Sequence, residues 1–174
     1  MPMKPANRVA IDKIIPDVDN GRFAAKSVIN QATRIAVDIV CDGHEVLTCS
    51  LHIRAPHRDS WTAIPLTNKG NDRWQAFFTP DRLWEYTVSA GVDRFQTWLR
   101  DLNRHSDSGG DLRGELAEGQ RLVESVLVNA PASAVRQLRQ IQGSLSGPEG
   151  YTAACSPQLA SLMKLYENRS KDTW

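Results

Sequence analysis

Arg34-Ile-Ala-Val-Asp-Ile-Val-Cys-Asp-Gly-His-Glu-Val-Leu-Thr-Cys-Ser-Leu-His-Ile-Arg54 alternates apolar and other residues on both sides of a turn signal. Ile35, Val37, Ile39 and Cys41 fall on one face of the first half, and Leu47, Cys49, Leu51 and Ile53 on one face of the second. Period two is the repeat of a half-buried strand, and Asp42-Gly43 is a strong turn pair, so the stretch predicts a β-hairpin.

The same alternation extends outward. It opens at Val9/Ile11 and returns in Trp74/Ala76/Phe78, in Trp84/Tyr86/Val88/Ala90 and in Phe95/Thr97/Leu99, punctuated by Asn71-Asp72, Thr79-Pro80-Asp81 and Gly91. Five to seven short strands with frequent turns suggest a β-sandwich. Beyond Ser106-Asp-Ser-Gly-Gly-Asp111 the period becomes helical. Leu112, Leu116, Val123 and Leu127 share a stripe that ends at Asn129-Ala-Pro131; Val135, Leu138, Ile141/Gln142 and Leu145 make a second; Leu159, Leu162, Met163 and Tyr166 a third. Ser156-Pro157 reads as an N-cap with proline in the first helical position. The expected organisation is a β-sandwich over residues 8–105 and an appended antiparallel helical bundle over 111–170.

The chain has 174 residues, long enough for such a core without disulfides and too short for a (β/α)₈ barrel of about 250 residues. Residues 1–110 carry 14 Lys/Arg against 13 Asp/Glu, and 111–174 carry 7 against 7. Neither part has the single-sign field that nucleic acid or an anionic membrane requires, so neither partner is expected. Apolar runs such as Ile35 to Cys41 fall far short of a bilayer span, and Met1-Pro-Met-Lys-Pro5 has no apolar region of a signal peptide. Three cysteines without framework spacing then point to reduced thiols and a cytoplasmic location.

Candidate chemistry is sparse. Cys49-x-x-His52, with His57 nearby, resembles a metal-ligand spacing, but positions 49 and 52 of a strand point to opposite faces, so a buried Cys and an exposed His are expected. His44 and His105 stand apart from any cluster. Cys41 and Cys49 could face each other across the hairpin, although the inferred compartment disfavours a disulfide. Cys155, just before a helix N-cap, is a weak nucleophile candidate, since no His lies near it in sequence. Asp42, Glu45, Asp93 and Asp101 lie in turns or on polar faces, and Gly109-Gly110 follows no clean parallel strand that would make it a phosphate loop. No nucleophile elbow, Walker loop, zinc-protease or dinucleotide fingerprint is present, and no metal or cofactor is expected.

Tryptophan is abundant, five in all, four of them in the strand region. Trp74 and Trp84 run in phase with Phe78, Tyr86 and Val88 and are expected in the core. Trp61 and Trp98 lie off those stripes; edge packing, an interdomain contact and a sugar-stacking platform remain open for both, and they are the candidate substrate-binding residues.

Four segments in order carry a resemblance. Arg8-Val-Ala-Ile-Asp-Lys-Ile-Ile-Pro-Asp-Val-Asp-Asn-Gly-Arg-Phe23 with Lys26 and Asp42-Gly-His44 resembles the opening of the bacterial α-1,4-glucan:maltose-1-phosphate maltosyltransferases, members of the α-amylase superfamily. Gly70-Asn-Asp-Arg-Trp-Gln-Ala-Phe-Phe-Thr-Pro80, Tyr86-Thr-Val88 and Val92-Asp-Arg-Phe-Gln-Thr-Trp-Leu-Arg-Asp101 are similar to the rest of that family's N-terminal domain. The resemblance is close over residues 8–101 and looser over 102–170. Gly91 departs from it, standing where an aromatic is expected.

The resemblance implies an immunoglobulin- or fibronectin-like sandwich with a helical insertion, in a homodimeric glycosyltransferase that moves maltosyl units from maltose 1-phosphate to α-1,4-glucan. The family's retaining chemistry uses an Asp nucleophile and a Glu acid/base on a barrel that this chain lacks, so no catalytic residue carries over. Its expected role is a non-catalytic accessory and dimerisation domain, partnered by a second copy and by that barrel. A stand-alone α-glucan-binding module using Trp61 and Trp98 is the rival expectation. The family's sandwich closes with a return strand after the helical insertion; ending at Ser170-Lys-Asp-Thr-Trp174, this chain is expected to stop short of it and to self-associate through an exposed strand edge.

Overall fold

Among the described residues seven strands precede Asp93, and their order in space differs from their order in sequence. The structure, a computed structural model, describes residues 8–168 and 172–174; the readings placed on Met1–Pro5 and on Ser170-Lys171 lie outside the described residues. The strands are β1 (Val9–Ile15), β2 (Thr33–Cys41), β3 (Leu47–Arg54), β4 (Thr62–Pro65), β5 (Thr67–Asn68), β6 (Arg73–Phe78) and β7 (Glu85–Val92). They form two antiparallel sheets, β1-β2-β6-β5 and β4-β3-β7.

The expected hairpin over 34–54 is therefore corrected. Its two strands form where the alternation places them, but β2 pairs with β1 and β6 while β3 pairs with β4 and β7. Residues 42–46 carry the chain from one sheet to the other. Both apolar faces then meet in one core: Ile35, Val37 and Ile39 from β2 with Cys49, Leu51 and Ile53 from β3, joined by Ala76, Val88 and Ala90. Val37, Leu51 and Val88 are fully enclosed, each burial contributing roughly 1.5–3 kcal/mol. Trp74 and Trp84 pack against this cluster from its margin, half-buried rather than central.

The change to helix falls at Asp93, earlier than the expected boundary between 105 and 111. The helices are α1 (Arg94–Asp107), α2 (Arg113–Val126), α3 (Ala132–Leu145), α4 (Gly150–Ala154) and α5 (Pro157–Tyr166), with a 3₁₀ turn at Leu127–Asn129. Phe95, Thr97 and Leu99 belong to α1, not to a strand. The Asp93 side chain accepts the Gln96 backbone N–H at 2.8 Å and caps the helix, and Phe95, Trp98 and Leu102 then recur at helical spacing on its buried face. Ser156 caps α5 as expected, accepting the Leu159 N–H at 3.3 Å with Pro157 at the first position.

The chain thus divides into two compact units. The sheet unit runs through Val92 and takes up the chain again at Asp172–Trp174; the helical unit is inserted between those points. Within it, Phe95, Trp98, Leu102, Val123, Leu138, Leu145, Leu159 and Met163 form a separate core. Gln120 and Gln142 clamp α2 to α3 by each donating an amide N–H to the other's backbone carbonyl, at 3.2 and 3.0 Å. This explains a glutamine on an otherwise apolar stripe.

In the sheet unit, Thr173 exchanges both backbone hydrogen bonds with Ala90 of β7, at 2.9 and 2.8 Å, and its hydroxyl donates to the Val9 carbonyl of β1 at 2.8 Å. The returning tail has reached the sheet, contrary to the expectation that the chain stops before doing so. Gly91 is buried beneath it: a Cβ there would overlap the Asp172 carboxylate, so a side chain at 91 requires that carboxylate to move. Among the described residues no helix is long and apolar enough to cross a membrane.

Candidate functional site

The 17-residue connection between β1 and β2 is built to be held rather than to wander. Asp17 accepts the Asn20 N–H at 3.0 Å, and Asp19, Asn20 and Gly21 take consecutive left-handed conformations that Asn, Asp and Gly tolerate best. The segment is then pinned once to the start of β7 and once to the β6–β7 connection. The Tyr86 hydroxyl donates to the Pro16 carbonyl, and the Asn30 N–H donates to the Pro80 carbonyl at 2.7 Å.

Between the two connections lies a cleft of about 240 Å³. Phe78, Trp84 and Tyr86 supply aromatic lining down to Ile35; Lys26 and Arg82 supply cations; Ile29 and Leu83 are lining residues that remain 61% and 67% exposed. The Trp84 ring is fixed by its indole N–H donating to Asp81 Oδ1 at 3.2 Å and by an edge contact with Phe78, centroids 6.4 Å apart at 78°. Arg82 grips the Asp81 carboxylate at 2.7 Å, and that hydrogen bond, with the Trp84 N–H, holds the carboxyl below the usual range. Burial pushes the Tyr86 phenol up, with Asp17 adding to the effect. Lys26 has no ion-pair partner among the described residues.

The sequence candidates are scattered by comparison. Trp98 is corrected: it is 6% exposed in α1, and its indole N–H donates to the Glu115 carbonyl at 2.7 Å, so it offers no platform. Trp61 is exposed just before β4, but the Arg54 guanidinium lies 4.4 Å from its ring centroid and covers one face. Cys49 is buried in the core while His52 stands half-buried on the other face of β3, its Nε2 2.8 Å from Ser89 Oγ. Among the described residues no group of three or more His, Cys, Asp or Glu stands close enough to hold a metal ion. Cys41 does not face Cys49 across a hairpin; its thiol donates to Glu45, and both cysteines are free.

Several remaining candidates have structural occupations. Gly109 and Gly110 donate their N–H groups to Ser106 and His105 carbonyls and terminate α1. Asp93 caps the same helix, Asp101 pairs with Arg100 at 2.9 Å, Glu45 pairs with Arg8, and His105 Nδ1 lies 2.6 Å from Glu115. Cys155 is exposed and donates weakly to Asn103 Oδ1 at 3.6 Å, the same atom that accepts from the Tyr151 hydroxyl at 3.0 Å. The nearby thiol pushes the Tyr151 phenol up. The amide oxygen that accepts from that thiol is no base to activate it.

Sequence reasoning missed the cleft. Its aromatic residues read as strand-core positions, whereas Trp84 is half-buried just before β7, and the wall supplied by residues 16–33 depends on contacts across 70 positions of chain, which no local pattern encodes.

Comparison with known proteins covers almost the whole chain. Residues 7–173 match the family described as alpha-1,4-glucan:maltose-1-phosphate maltosyltransferase, domain N/S. A Chlorobaculum tepidum protein named alpha-1,4-glucan:maltose-1-phosphate maltosyltransferase is 35% identical over 168 residues, covering 94% of this chain and 25% of its own. Proteins of the same name from Myxococcus xanthus and Pseudomonas aeruginosa are 30% and 34% identical, covering 93% and 67% of this chain and 26% and 18% of theirs. The chain spans about a quarter of the length of the first two relatives.

Proposed function

The chain belongs to the domain N/S family of the α-1,4-glucan:maltose-1-phosphate maltosyltransferases, and we propose that it is the non-catalytic, N-terminal accessory and dimerisation part of such an enzyme. The observation that supports this reading best is the end-to-end family match combined with the quarter-length coverage of the relatives. The enzyme it serves elongates α-1,4-glucan from maltose 1-phosphate in the cytoplasm, its chemistry residing on a separate barrel of the α-amylase superfamily. The sheet unit, with two antiparallel sheets around one core, is read as an immunoglobulin- or fibronectin-like sandwich interrupted by the helical unit. The surface carrying self-association is assigned to the sheet unit.

Two measurements on the 174-residue chain test this. An assay with maltose 1-phosphate and a maltooligosaccharide acceptor should show no turnover, and light scattering should show a dimer. Turnover, or a strict monomer at high concentration, overturns the corresponding part.

A second reading, an α-glucan-binding module, is favoured by one feature: the fixed, partly open aromatic cleft around Trp84.

A further inference from the structure

We infer that the cleft between Lys26, Phe78, Arg82, Trp84 and Tyr86 is a binding subsite for the end of a neutral α-1,4-linked glucan chain. This rests on the glucan-binding reading above and moves its site from Trp61 and Trp98 to Trp84.

Size and chemistry select the occupant. At about 240 Å³ the cleft lies below the roughly 300–1,000 Å³ of sites for drug-sized ligands, so it fits a single ring better than a run of chain. A pyranose has an apolar C–H face and a rim of hydroxyls that both donate and accept. Trp84, with Phe78 at its edge and Tyr86 beside it, offers the apolar wall. The Ser27 and Thr33 hydroxyls donate and accept, and the Arg82 guanidinium and Lys26 ammonium donate.

Two competing ligands fit less well. Asp81 and Arg82 neutralise each other, leaving the exposed Lys26 as the one uncompensated charge among the lining residues, a weak field for a phosphate monoester. An apolar peptide side chain would cover the Lys26 ammonium and the Arg82 N–H groups that Asp81 leaves over without pairing them, and each stranded polar group costs about 1–3 kcal/mol. A sugar ring covers the aromatic surface and pairs the polar groups together.

The site is also preorganised. The Trp84 indole is held by Asp81 and Phe78, and the opposing loop by its bonds to Tyr86 and Pro80, so a ligand meets walls already ordered.

The test uses the whole 174-residue chain, labelled with ¹⁵N so that its five indole N–H signals report separately. Maltotetraose is expected to shift the Trp84 indole saturably with a Kd on the order of 1 mM. Cellotetraose and maltose 1-phosphate are the comparison ligands, expected to bind at least about tenfold more weakly. Trp84→Leu is expected to weaken maltotetraose binding about tenfold and Trp61→Ala to leave it unchanged. Should Trp84→Leu fail to fold, the exposed Arg82→Ala is expected to weaken binding about threefold in a chain with an unchanged spectrum. Shifts confined to Trp61 or Trp174, no shift of any indole, equal binding of cellotetraose, or tighter binding of maltose 1-phosphate each overturn the proposal. Glucan binding that persists in Trp84→Leu overturns this site but keeps the binding reading, and the dimer and turnover measurements stand apart from both.

Discussion

The indole ring of Trp98 lies directly against the α-carbon of Gly119, where a side-chain Cβ would overlap it. With its N–H donated to the Glu115 carbonyl one turn earlier, the ring cannot withdraw without losing a buried hydrogen bond. A residue that reads as a poor helix former is thus what lets α1 and α2 approach.

Gly119→Ala is expected to destabilise the chain by about 1–2 kcal/mol, because overpacking of about 2–3 kcal/mol exceeds the gain of up to ~1 kcal/mol in helix propensity. Gly114→Ala, on the same helix with open space around it, is expected to stabilise by about 0.5–1 kcal/mol. Urea unfolding of the pair checks this, and a Gly119→Ala midpoint at or above the parent's refutes the contact.

Both tryptophans expected in the strand core sit at its margin, which lowers the cost of losing them. Trp74→Ala is expected to cost about 2–3 kcal/mol rather than the ~3–5 kcal/mol of a fully buried aromatic. Thermal and urea melts measure it, and a loss above about 4 kcal/mol would put Trp74 back in the core.

The elements legible in the sequence were those whose own residues carry the whole signal. Ser156-Pro157 announces α5, and Ile35/Val37/Ile39 and Leu51/Ile53 announce two strands. Alternation states which face is buried but not which strand lies beside it, so β2 and β3 read as a hairpin although they lie in different sheets. Phe95 and Leu99 satisfy both period two and an i, i+4 helical pair; only the Asp93 cap and Leu102 further on decide for helix. Trp98 and the cleft were illegible for another reason: their surroundings come from distant segments, α2 in one case and residues 16–33 in the other.

His52 gives the sheet unit a pH dependence of defined sign. Burial against β7 lowers its pKa, so the neutral ring is favoured in the fold, where it lies 4.5 Å from Trp174. The unfolded chain binds the proton more tightly, so this contribution is complete above the unfolded value near 6.5 and is lost as pH falls through the lower folded value. Melting temperature is expected to fall from pH 7.5 to 5, less steeply in His52→Gln. Identical slopes in the two proteins would exclude His52 as the source.

Thiol reactivity should rank by position. Burial, with Asp172 nearby, pushes the Cys49 thiol up to about 12, while Cys155 is exposed. In the folded chain an aromatic disulfide reagent is expected to titrate Cys155 rapidly and Cys49 only on unfolding. Equal rates for the two would contradict the placement of Cys49.

The tail at Asp172–Trp174 covers an edge that would otherwise be open. β7 pairs with β3 on one side, and on the other Ala90 is met by Thr173, whose hydroxyl also reaches Val9 of β1. Removing residues 172–174 leaves the Ala90 N–H and carbonyl unpaired at the margin of the sheet core, and such an edge recruits a strand from another molecule. Gly91→Ala should act in the same direction, more weakly and without shortening the chain, since the new Cβ forces the Asp172 carboxylate of the tail to move. Both variants are therefore expected to melt lower than the parent and to form concentration-dependent oligomers larger than its own state, read by analytical ultracentrifugation. If truncation changes neither melting nor assembly, the Thr173–Ala90 bridge does not protect the edge, and self-association of this chain must be sought on another surface.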